Sequence, residues 1–284
     1  MSKPIVAIIA AGNMGAAVAA RLTQAGVTVL TSLVGRSSAS EERARVAGMR
    51  AASDAEIASA DVILSVLPPR DAMGLVKRLS PAIKSSGRKP IYVDGNAVSP
   101  ATVEQIGAVA TEAGARFVDG AIIGPPPKAD GSSRTILYVS GEHADQVLPL
   151  GKLGIEVRKV AGGVGAASAL KMSYAAVTKG LTALGTASLI AASEAGVAEE
   201  LRRELEESQP AVLAFLTRGV PDMCPKAYRW VNEMEEVGTY TGRPAGNQIY
   251  KGIAALYQGI ADDMAGGRTD VRTLEDFFTS AKRR

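Results

Sequence analysis

The chain has 284 residues, enough for two domains, with a net charge of +3, 46% hydrophobic and 21% charged residues. This balance is typical of a soluble globular protein and gives no reason to expect nucleic acid or a membrane as a partner. A single cysteine excludes an internal disulfide, and a single histidine argues against histidine catalysis and a metal site. The cysteine content fits a reducing, cytoplasmic compartment, and we expect no signal peptide because the first predicted strand follows Pro4 directly. We expect no membrane span either, because the longest uncharged run of the second half, residues 180–193, is too short to cross a bilayer.

The start of the chain predicts a strand, a glycine turn and a helix. Residues 5–11 are apolar, Gly12 and Gly15 bound a short turn, and an alanine-rich segment continues to Gly26. Such a unit opens a dinucleotide-binding fold, because Gly12 lets the backbone approach a pyrophosphate and the helix amides favour its charge. Ala10 stands where the usual G-x-G-x-x-G pattern has its first glycine, so the turn must accommodate a methyl group. The alternative is an ordinary strand-to-helix turn.

The residues that follow the second predicted strand, at 27–33, indicate which dinucleotide binds. An NAD-binding unit places an acidic residue here to hold the ribose 2′-hydroxyl, but this chain has none before Glu41. Arg36 stands there instead, followed by Ser37 and Ser38, and a guanidinium beside hydroxyl groups suits a 2′-phosphate. We therefore expect NADP as the cofactor, and the alternative is a solvated loop arginine.

Strands and helices alternate through the rest of the first half. Strands are predicted at 60–67, 90–94, 115–119, 135–140 and 155–160. One helix is predicted at 41–49, a second ends at Ile83, and a third begins at Pro100 and is capped by Ser99. This order predicts an α/β, Rossmann-type doubly wound parallel sheet, in which ligands bind beyond the carboxyl ends of the strands. Pro68, Asn96 and residues 120–125 should then share an edge of the sheet with Gly12.

The second half predicts only helices. Glycines at 162–165 form a flexible joint before a long helix of small residues at 166–195, and further helices are predicted at 199–208, 210–217, 226–240, 247–265 and 273–281. We expect a Rossmann domain at 1–162 and an all-helical domain at 163–284, joined by this long interdomain helix. We also expect a homodimer, because the remaining helices are too few to cover the long one.

Lys171 is the residue most expected to take part in chemistry. It follows the glycine joint closely, and Tyr174 and Thr178 lie on the same face of the predicted helix. A lysine among small apolar residues is costly to bury unless it is paired or acts in catalysis. The alternative is a lysine whose ammonium group reaches solvent.

Two groups of residues in the helix predicted at 226–240 are expected to stabilise the fold or the assembly rather than to act on a substrate. Glu233, Glu235 and Glu236 are spread around the helix, so surface or subunit salt bridges are favoured over catalysis. Trp230 and Met234 share one face, which predicts core packing, and the wall of a substrate pocket is the alternative.

Several segments carry a family resemblance over nearly the whole chain. They are AAGNMG, VILSVLPP, VDGNAVSP, FVDGAIIGPP and GGVGAASALKMSYAAVTKG. Together they resemble the β-hydroxyacid dehydrogenase and 6-phosphogluconate dehydrogenase superfamily, and KAYRWVNEMEEVGTY resembles a subgroup with an uncharacterised helical C-terminal domain. The resemblance implies a Rossmann domain, a helical dimerisation domain, and oxidation of a β-hydroxy acid or reduction of its carbonyl with NAD or NADP. It also places the family's catalytic lysine on Lys171, a residue that related imine reductases and reductive aminases typically replace.

The chain departs from the family pattern at the expected substrate contacts. Asn96 replaces the serine of the D-x-S-T stretch, and Ile123 and Pro125 replace a serine and a glycine of the D-A-P-V-S-G-G stretch. Tyr174 replaces the asparagine that follows the catalytic lysine. A more apolar pocket is the consequence, and we expect a bulkier or less anionic small-molecule substrate.

Three hypotheses follow for the function. The first is an NADP-dependent oxidoreductase in which Lys171 exchanges the proton, Asn96 holds the same oxygen and Tyr174 orients the substrate. The others are an imine or enamine reductase with Tyr174 as proton donor, and a non-catalytic NADP-binding sensor. The predicted cofactor contacts are Ala11, Gly12, Asn13, Met14, Gly15, Gly35, Arg36, Ser37, Ser38, Leu67, Pro68 and Asn96. The predicted substrate contacts are Ile123, Gly124, Pro125, Lys171, Tyr174, Thr178, Trp230 and Met234.

Overall fold

The computed structural model describes residues 3–279, so the end of the helix predicted at 273–281 lies outside the described part. The chain divides into two compact units, the first reaching Met172 and the second starting at Ser173. This division falls later in the chain than the boundary predicted after residue 162. The reason is that the first turns of the long helix are hydrogen-bonded to the sheet of the first unit, through Ser168 and Lys171.

The first unit is built on a mostly parallel sheet. Its strands are β1 Ile5–Ile9, β2 Thr28–Thr31, β3 Arg50–Ala51, β4 Val62–Ser65, β5 Ile91–Asp94, β6 Arg116–Ile123, β7 Ile136–Ser140 and β8 Glu156–Lys159. They are ordered β3-β2-β1-β4-β5-β6-β7-β8. The neighbouring strands are parallel except for β6 and β7, which are antiparallel, so the sheet is mostly parallel, as predicted. Consecutive prolines at 125–127 lack N–H donors and disfavour the helical crossover that a parallel connection needs.

Helices cover both faces of this sheet, which confirms the doubly wound prediction. They are α1 Asn13–Gln24, α2 Ser38–Val46, α3 Asp54–Ala58, α4 Pro69–Ser86 and α5 Pro100–Glu112, with 3-10 turns at Ala144–Gln146 and Leu148–Leu153. One apolar cluster contains Val18 and Leu22 of α1, and the cluster on the other face contains Leu79 of α4 and Ile106 of α5. Burial of these two apolar faces is the main force that holds the layers together.

Local capping sets several helix starts in this unit. Ser99 accepts a hydrogen bond from the amide of Thr102, as predicted for the start of α5. The helix predicted at 41–49 begins earlier, at Ser38, with Ser37 as its N-cap. The sequence interpretation missed β3 and α3, although Ser53 and Glu56 form a capping box that marks the start of α3.

The second unit is all-helical. The long helix α6, Ala166–Glu194, begins in the first unit and continues into the second, which also contains α7 Ala198–Ser208, α8 Pro210–Met223, α9 Ala227–Thr241, α10 Pro244–Ala265 and α11 Thr269–Thr279. Its buried side chains include Val220, Met234, Tyr257 and Leu274. Gly185 lets α8 approach α6 closely, because a Cβ at that position would overlap the side chain of Leu216.

One face of α6 in the second unit carries an exposed apolar stripe. Its members follow each other at three- and four-residue spacing and are Tyr174, Val177, Leu181 and Leu184, with exposed fractions of 52%, 62%, 48% and 62%. The same helix is the one described element long and apolar enough to cross a membrane, with 44% of its most apolar window buried. That is weak evidence, because the core helix of a soluble protein meets the same criterion. The prediction of no membrane partner therefore stays a prediction.

Candidate functional site

The candidate site lies where the parallel strands end. β1, β4 and β5 are neighbours, and their register places residues 10–12, 66–68 and 95–97 beyond the same edge of the sheet. Ligands of doubly wound sheets bind at this edge. The structure therefore brings Gly12, Pro68 and Asn96 to one edge, as the sequence predicted, and Leu67 lies next to Pro68 there.

The glycine turn leaves helix amides available for an anion. The first intrahelical bond of α1 runs from the amide of Ala16 to the carbonyl of Gly12 at 2.8 Å, so the amides of Asn13, Met14 and Gly15 have no acceptor within the helix. A Cβ on Gly12 would meet nothing within 4 Å, whereas a Cβ on Gly15 would overlap the carbonyl oxygen of Ala10. Gly12 thus leaves open space in front of the amides, and Gly15 lets the helix pack on the strand. These features fit a dinucleotide pyrophosphate.

The alanine in the first glycine position places its methyl group in the apolar core. Ala10 is 8% exposed and its side chain packs in the apolar cluster on the α4 and α5 side of the sheet. Its amide donates to the carbonyl of Val66 at 3.3 Å, which ties the turn to the end of β4.

The segment after β2 presents Arg36 as an available cation. Gly35 has a φ of +69°, which only glycine adopts easily, and this turn precedes Arg36. The guanidinium of Arg36 makes no hydrogen bond to the described part of the chain, and Ser37 and Ser38 are exposed beside it. Arg36 is therefore free to pair with a phosphate.

Arg43 is a second cation in this region that the sequence interpretation missed. Its Nε donates to the carbonyl of Ala11 at 3.0 Å, and its Nη2 donates to Oγ of Ser40 at 2.8 Å. Arg43 thereby fixes α2 against the glycine turn and adds positive charge near Arg36. Arg43 follows Ser40 by about one turn and Ser37 by nearly two turns, and this spacing was the signal that could have identified it.

Asn96 joins the ends of β4 and β5. Its Oδ1 accepts the amide of Leu67 at 2.5 Å, and its Nδ2 donates to Oγ of Ser65 at 2.8 Å and to Oδ2 of Asp94 at 2.9 Å. The residue is 2% exposed. Holding a substrate oxygen would require Asn96 to give up one of these bonds, so its catalytic role stays a prediction.

Asp94 is the strongly perturbed acid of this edge, and the sequence interpretation did not select it. The carboxyl group is fully buried and accepts the backbone amide of Asn96 at 3.1 Å as well as its side chain. Burial raises the pKa of Asp94 to about 7, the hydrogen bonds from Asn96 act in the opposite direction, and the charge of Asp119, its partner on β6, adds to the increase. A buried acid at the end of an apolar strand was the available signal.

Asp119 fixes the start of α6. Its Oδ2 accepts the amides of Gly165, Ala167 and Ser168 at 2.9, 3.0 and 3.1 Å, and the hydroxyls of Ser140 and Ser168 donate to the two carboxylate oxygens. A carboxylate at a helix N-terminus is stabilised by the free amides and the helix dipole. Asp119 therefore sets where α6 leaves the sheet and hence where Lys171 lies.

Lys171 reaches the predicted substrate segment of β6. Its half-buried side chain donates from Nζ to the carbonyl of Ile122 at 2.6 Å. Ile123 is partly exposed, and Gly124 has a φ of +122° and no room for a Cβ against the backbone of Arg134. Because the ammonium group has three donors and one is used, Lys171 can still donate to a ligand.

The predicted residues of the second unit have varied environments. Tyr174 is exposed and its hydroxyl makes no hydrogen bond to the described residues, while Thr178 donates its hydroxyl to the carbonyl of Tyr174 at 2.9 Å. Met234 is fully buried, which favours core packing over the pocket wall because it has no surface to offer a substrate. Trp230 packs edge-on against Tyr257 with ring centroids 5.3 Å apart.

Glu233 corrects the expectation of surface or subunit salt bridges. It is 8% exposed and forms an ion pair with Lys179 of α6 inside the second unit. The ammonium of Lys179 also lies 4.7 Å from the centroid of the Trp230 ring. The pair links α6 to α9, and removing one partner would lower the free energy of unfolding because the other charge would stay buried without it.

Comparison with known proteins agrees with the fold of the chain. Residues 5–148 match the NAD binding domain of 6-phosphogluconate dehydrogenase, and residues 192–260 match a domain of unknown function. A solved conserved protein of unknown function, similar in structure to 3-hydroxyacid dehydrogenases, is 29% identical, with 90% of this chain and 96% of that chain covered and a TM-score of 0.69.

Two more distant solved enzymes share the fold. Mycobacterium tuberculosis 3-hydroxyisobutyrate dehydrogenase, solved with L-serine, is 19% identical, with 93% of this chain and 96% of that chain covered and a TM-score of 0.70. A variant imine reductase from Myxococcus stipitatus, solved with NAD+, is 21% identical, with 97% and 99% covered and a TM-score of 0.61. Because the first family match spans just over half of the chain, the protein belongs to the family of the NAD-binding domain of 6-phosphogluconate dehydrogenase, and its fold is similar to that of 3-hydroxyacid dehydrogenases.

Proposed function

We propose that the protein is an NADP-dependent dehydrogenase or reductase that acts on the hydroxyl or carbonyl group of a small, rather apolar or bulky substrate. The observation that carries the proposal is the hydrogen bond from Lys171 to the carbonyl of Ile122. It holds an ammonium group beside the predicted substrate segment, beyond the same edge of the sheet as the glycine turn. NADP, when bound there, supplies or accepts the hydride.

The preference for NADP over NAD rests on charge. The guanidinium of Arg36 makes no hydrogen bond to residues 3–279, and Arg43 adds a second positive charge. No acidic residue precedes Glu41 to hold a ribose 2′-hydroxyl. A 2′-phosphate would be stabilised by these cations and by the hydroxyls of Ser37 and Ser38.

Lys171 is the proposed proton donor in the reductive direction and acceptor in oxidation. Negative charge develops on the substrate oxygen as the carbonyl is reduced, and a positioned ammonium group stabilises that charge before transferring its proton. The carbonyl of Ile122 holds the lysine in place without consuming its remaining donors. Ile123 and Pro125, where the family pattern has polar or small residues, favour an apolar substituent on the substrate.

An imine or enamine reductase is the second candidate. Tyr174 favours it, because its hydroxyl is exposed, makes no hydrogen bond to the described residues and follows Lys171 on the same helix face. In that enzyme the tyrosine would donate the proton and the lysine would be dispensable.

Turnover of NADPH with a panel of ketones, β-keto acids and cyclic imines tests these proposals. Lys171→Ala should lower turnover by about 10²–10⁴-fold, the usual contribution of general acid catalysis, and Tyr174→Phe should cost less. NADPH affinity should stay nearly constant in both variants, and Lys77→Ala, an exposed lysine of α4, is the matched control. Full activity of Lys171→Ala with loss of activity in Tyr174→Phe would replace the first candidate by the second. No turnover of any substrate by the wild type would support the sensor hypothesis.

We also infer that two copies of the chain associate through α6. The stripe of Tyr174, Val177, Leu181 and Leu184 is uncovered in the isolated chain, and such a surface is usually buried by a partner. Two-fold association is the common way to cover one apolar face with its own copy. A cytoplasmic location is part of the same proposal and rests on the composition alone.

A further inference from the structure

A cavity of about 180 Å³ lies inside the first unit, between α1 and the β6–β7 side of the sheet. Its apolar wall consists of Val18, Leu64, Ile122, Leu137 and Ile155, all at most 8% exposed. Leu64 and Leu137 are mid-strand residues, so the cavity reaches into the core of the unit. None of the predicted cofactor or substrate contacts lines it.

The mouth of the cavity is polar and carries positive charge. Arg21 donates from Nε to the carbonyl of Gly154 at 3.2 Å and from Nη1 to the carbonyl of Ala129 at 2.7 Å. Its Nη2 makes no hydrogen bond to the described residues, so it remains a free donor. Lys128 is exposed at the same mouth and forms no ion pair with the described part of the chain.

The acids near the mouth leave this positive charge largely in place. Glu156 lines the mouth, but its carboxylate is paired with Arg158 at 2.5 Å. Asp130 lies close enough for Arg21 to help lower its pKa, after the larger effect of hydrogen bonds from Ser132. With Arg21, Lys128 and Arg158 against Glu156 and Asp130, the charges around the mouth sum to a positive value.

We propose that this cavity is a binding site for a small organic carboxylate with an apolar body of about the size of benzoate. An apolar cavity of about 150 Å³ holds a benzene ring, so the apolar part matches the volume between α1 and the sheet. The carboxylate would then lie at the mouth, where Nη2 of Arg21 and Nζ of Lys128 can form charge-assisted hydrogen bonds to it. A neutral ligand of the same shape would lose these contacts.

Methyl NMR of isoleucine-labelled protein locates the ligand directly. Titration with benzoate should shift the methyl resonances of Ile122 and Ile155, which line the cavity, and leave those of Ile83 and Ile106 unchanged, since these pack on the opposite face of the sheet. Benzyl alcohol should bind about tenfold or more weakly, because it lacks the carboxylate. Shifts elsewhere without shifts at Ile122 and Ile155, or no saturable shift at all, would refute the site.

Substitutions separate the cavity from the charge at its mouth. Val18→Phe should fill the volume and abolish the benzoate-dependent shift, and Ile155→Phe serves the same purpose if the first variant does not fold. Lys128→Gln should lower the affinity for benzoate about two- to fivefold, as expected for an exposed ion pair. Lys77→Gln on α4 should leave this affinity unchanged. Unchanged benzoate affinity in a folded cavity-filling variant would overturn the proposal.

Discussion

The buried carboxyl group of Asp94 should make the stability of the protein depend on pH in a way that one substitution removes. Its ordinary pKa of 3.8 is raised to about 7 in the folded state, chiefly by burial. Below pH 3.8 the group is protonated in both states. Between 3.8 and about 7 the unfolded chain releases the proton and the folded chain keeps it, so the free energy of unfolding falls as the pH rises.

The size of this effect follows from the shift. A difference of about three pKa units at 1.36 kcal/mol per unit corresponds to about 4 kcal/mol of unfolding free energy, lost once the pH exceeds the folded pKa. Asp94→Asn keeps an oxygen that can accept the amide of Asn96 but carries no charge at any pH. The difference in unfolding free energy between the variant and the wild type should therefore move in favour of the variant by about 4 kcal/mol between pH 4 and pH 8.

Urea unfolding followed by backbone circular dichroism at several pH values measures this difference. Val93→Ala is the matched control, because Val93 is buried next to Asp94 on β5 and its truncation creates a cavity without removing a titrating group. Its stability curve should run parallel to that of the wild type. A constant difference between Asp94→Asn and the wild type over the whole range would refute the argument that burial holds this carboxyl group protonated.

Three further predictions concern the glycine turn, the cofactor and the assembly. Gly15→Ala should lower the free energy of unfolding by about 1–3 kcal/mol, because the added Cβ would overlap the carbonyl of Ala10. Gly12→Ala should leave the stability nearly unchanged and weaken cofactor binding. Equal melting temperatures of the two variants would contradict this prediction. In a fluorescence titration, Arg36→Ala should weaken NADPH binding about tenfold to a hundredfold and NADH binding only little. Equal losses of affinity for the two cofactors would contradict the NADP assignment. Leu181→Asp should shift the mass measured by light scattering from dimer to monomer, with the exposed Val46→Asp on α2 as control, and a wild-type monomer at micromolar concentration would count against the dimer.

Much of the architecture was predictable because its signals are local. The apolar run, glycine turn and alanine-rich segment predicted β1 and α1, and the long helix was predicted at 166–195 and found as Ala166–Glu194. Serine caps and glycine stops act within a few residues of the helix end that they fix, so a sequence window contains the whole interaction. The short strand β3 and the five-residue α3 escaped, because neither is long enough to show a hydrophobic period.

The sequence by itself determined the alternation of strands and helices, the glycine turn and the cation at Arg36. Only the tertiary structure decided three contacts. Asp119 accepts hydrogen bonds from the amides at the start of α6. Arg43 donates to the carbonyl of Ala11, and Lys179 pairs with Glu233. Each of these contacts joins single polar residues from separate elements, and one charged side chain carries no periodic signal of its partner. The packing of the elements brings such groups together, and the cost of burying them unpaired then selects the partner.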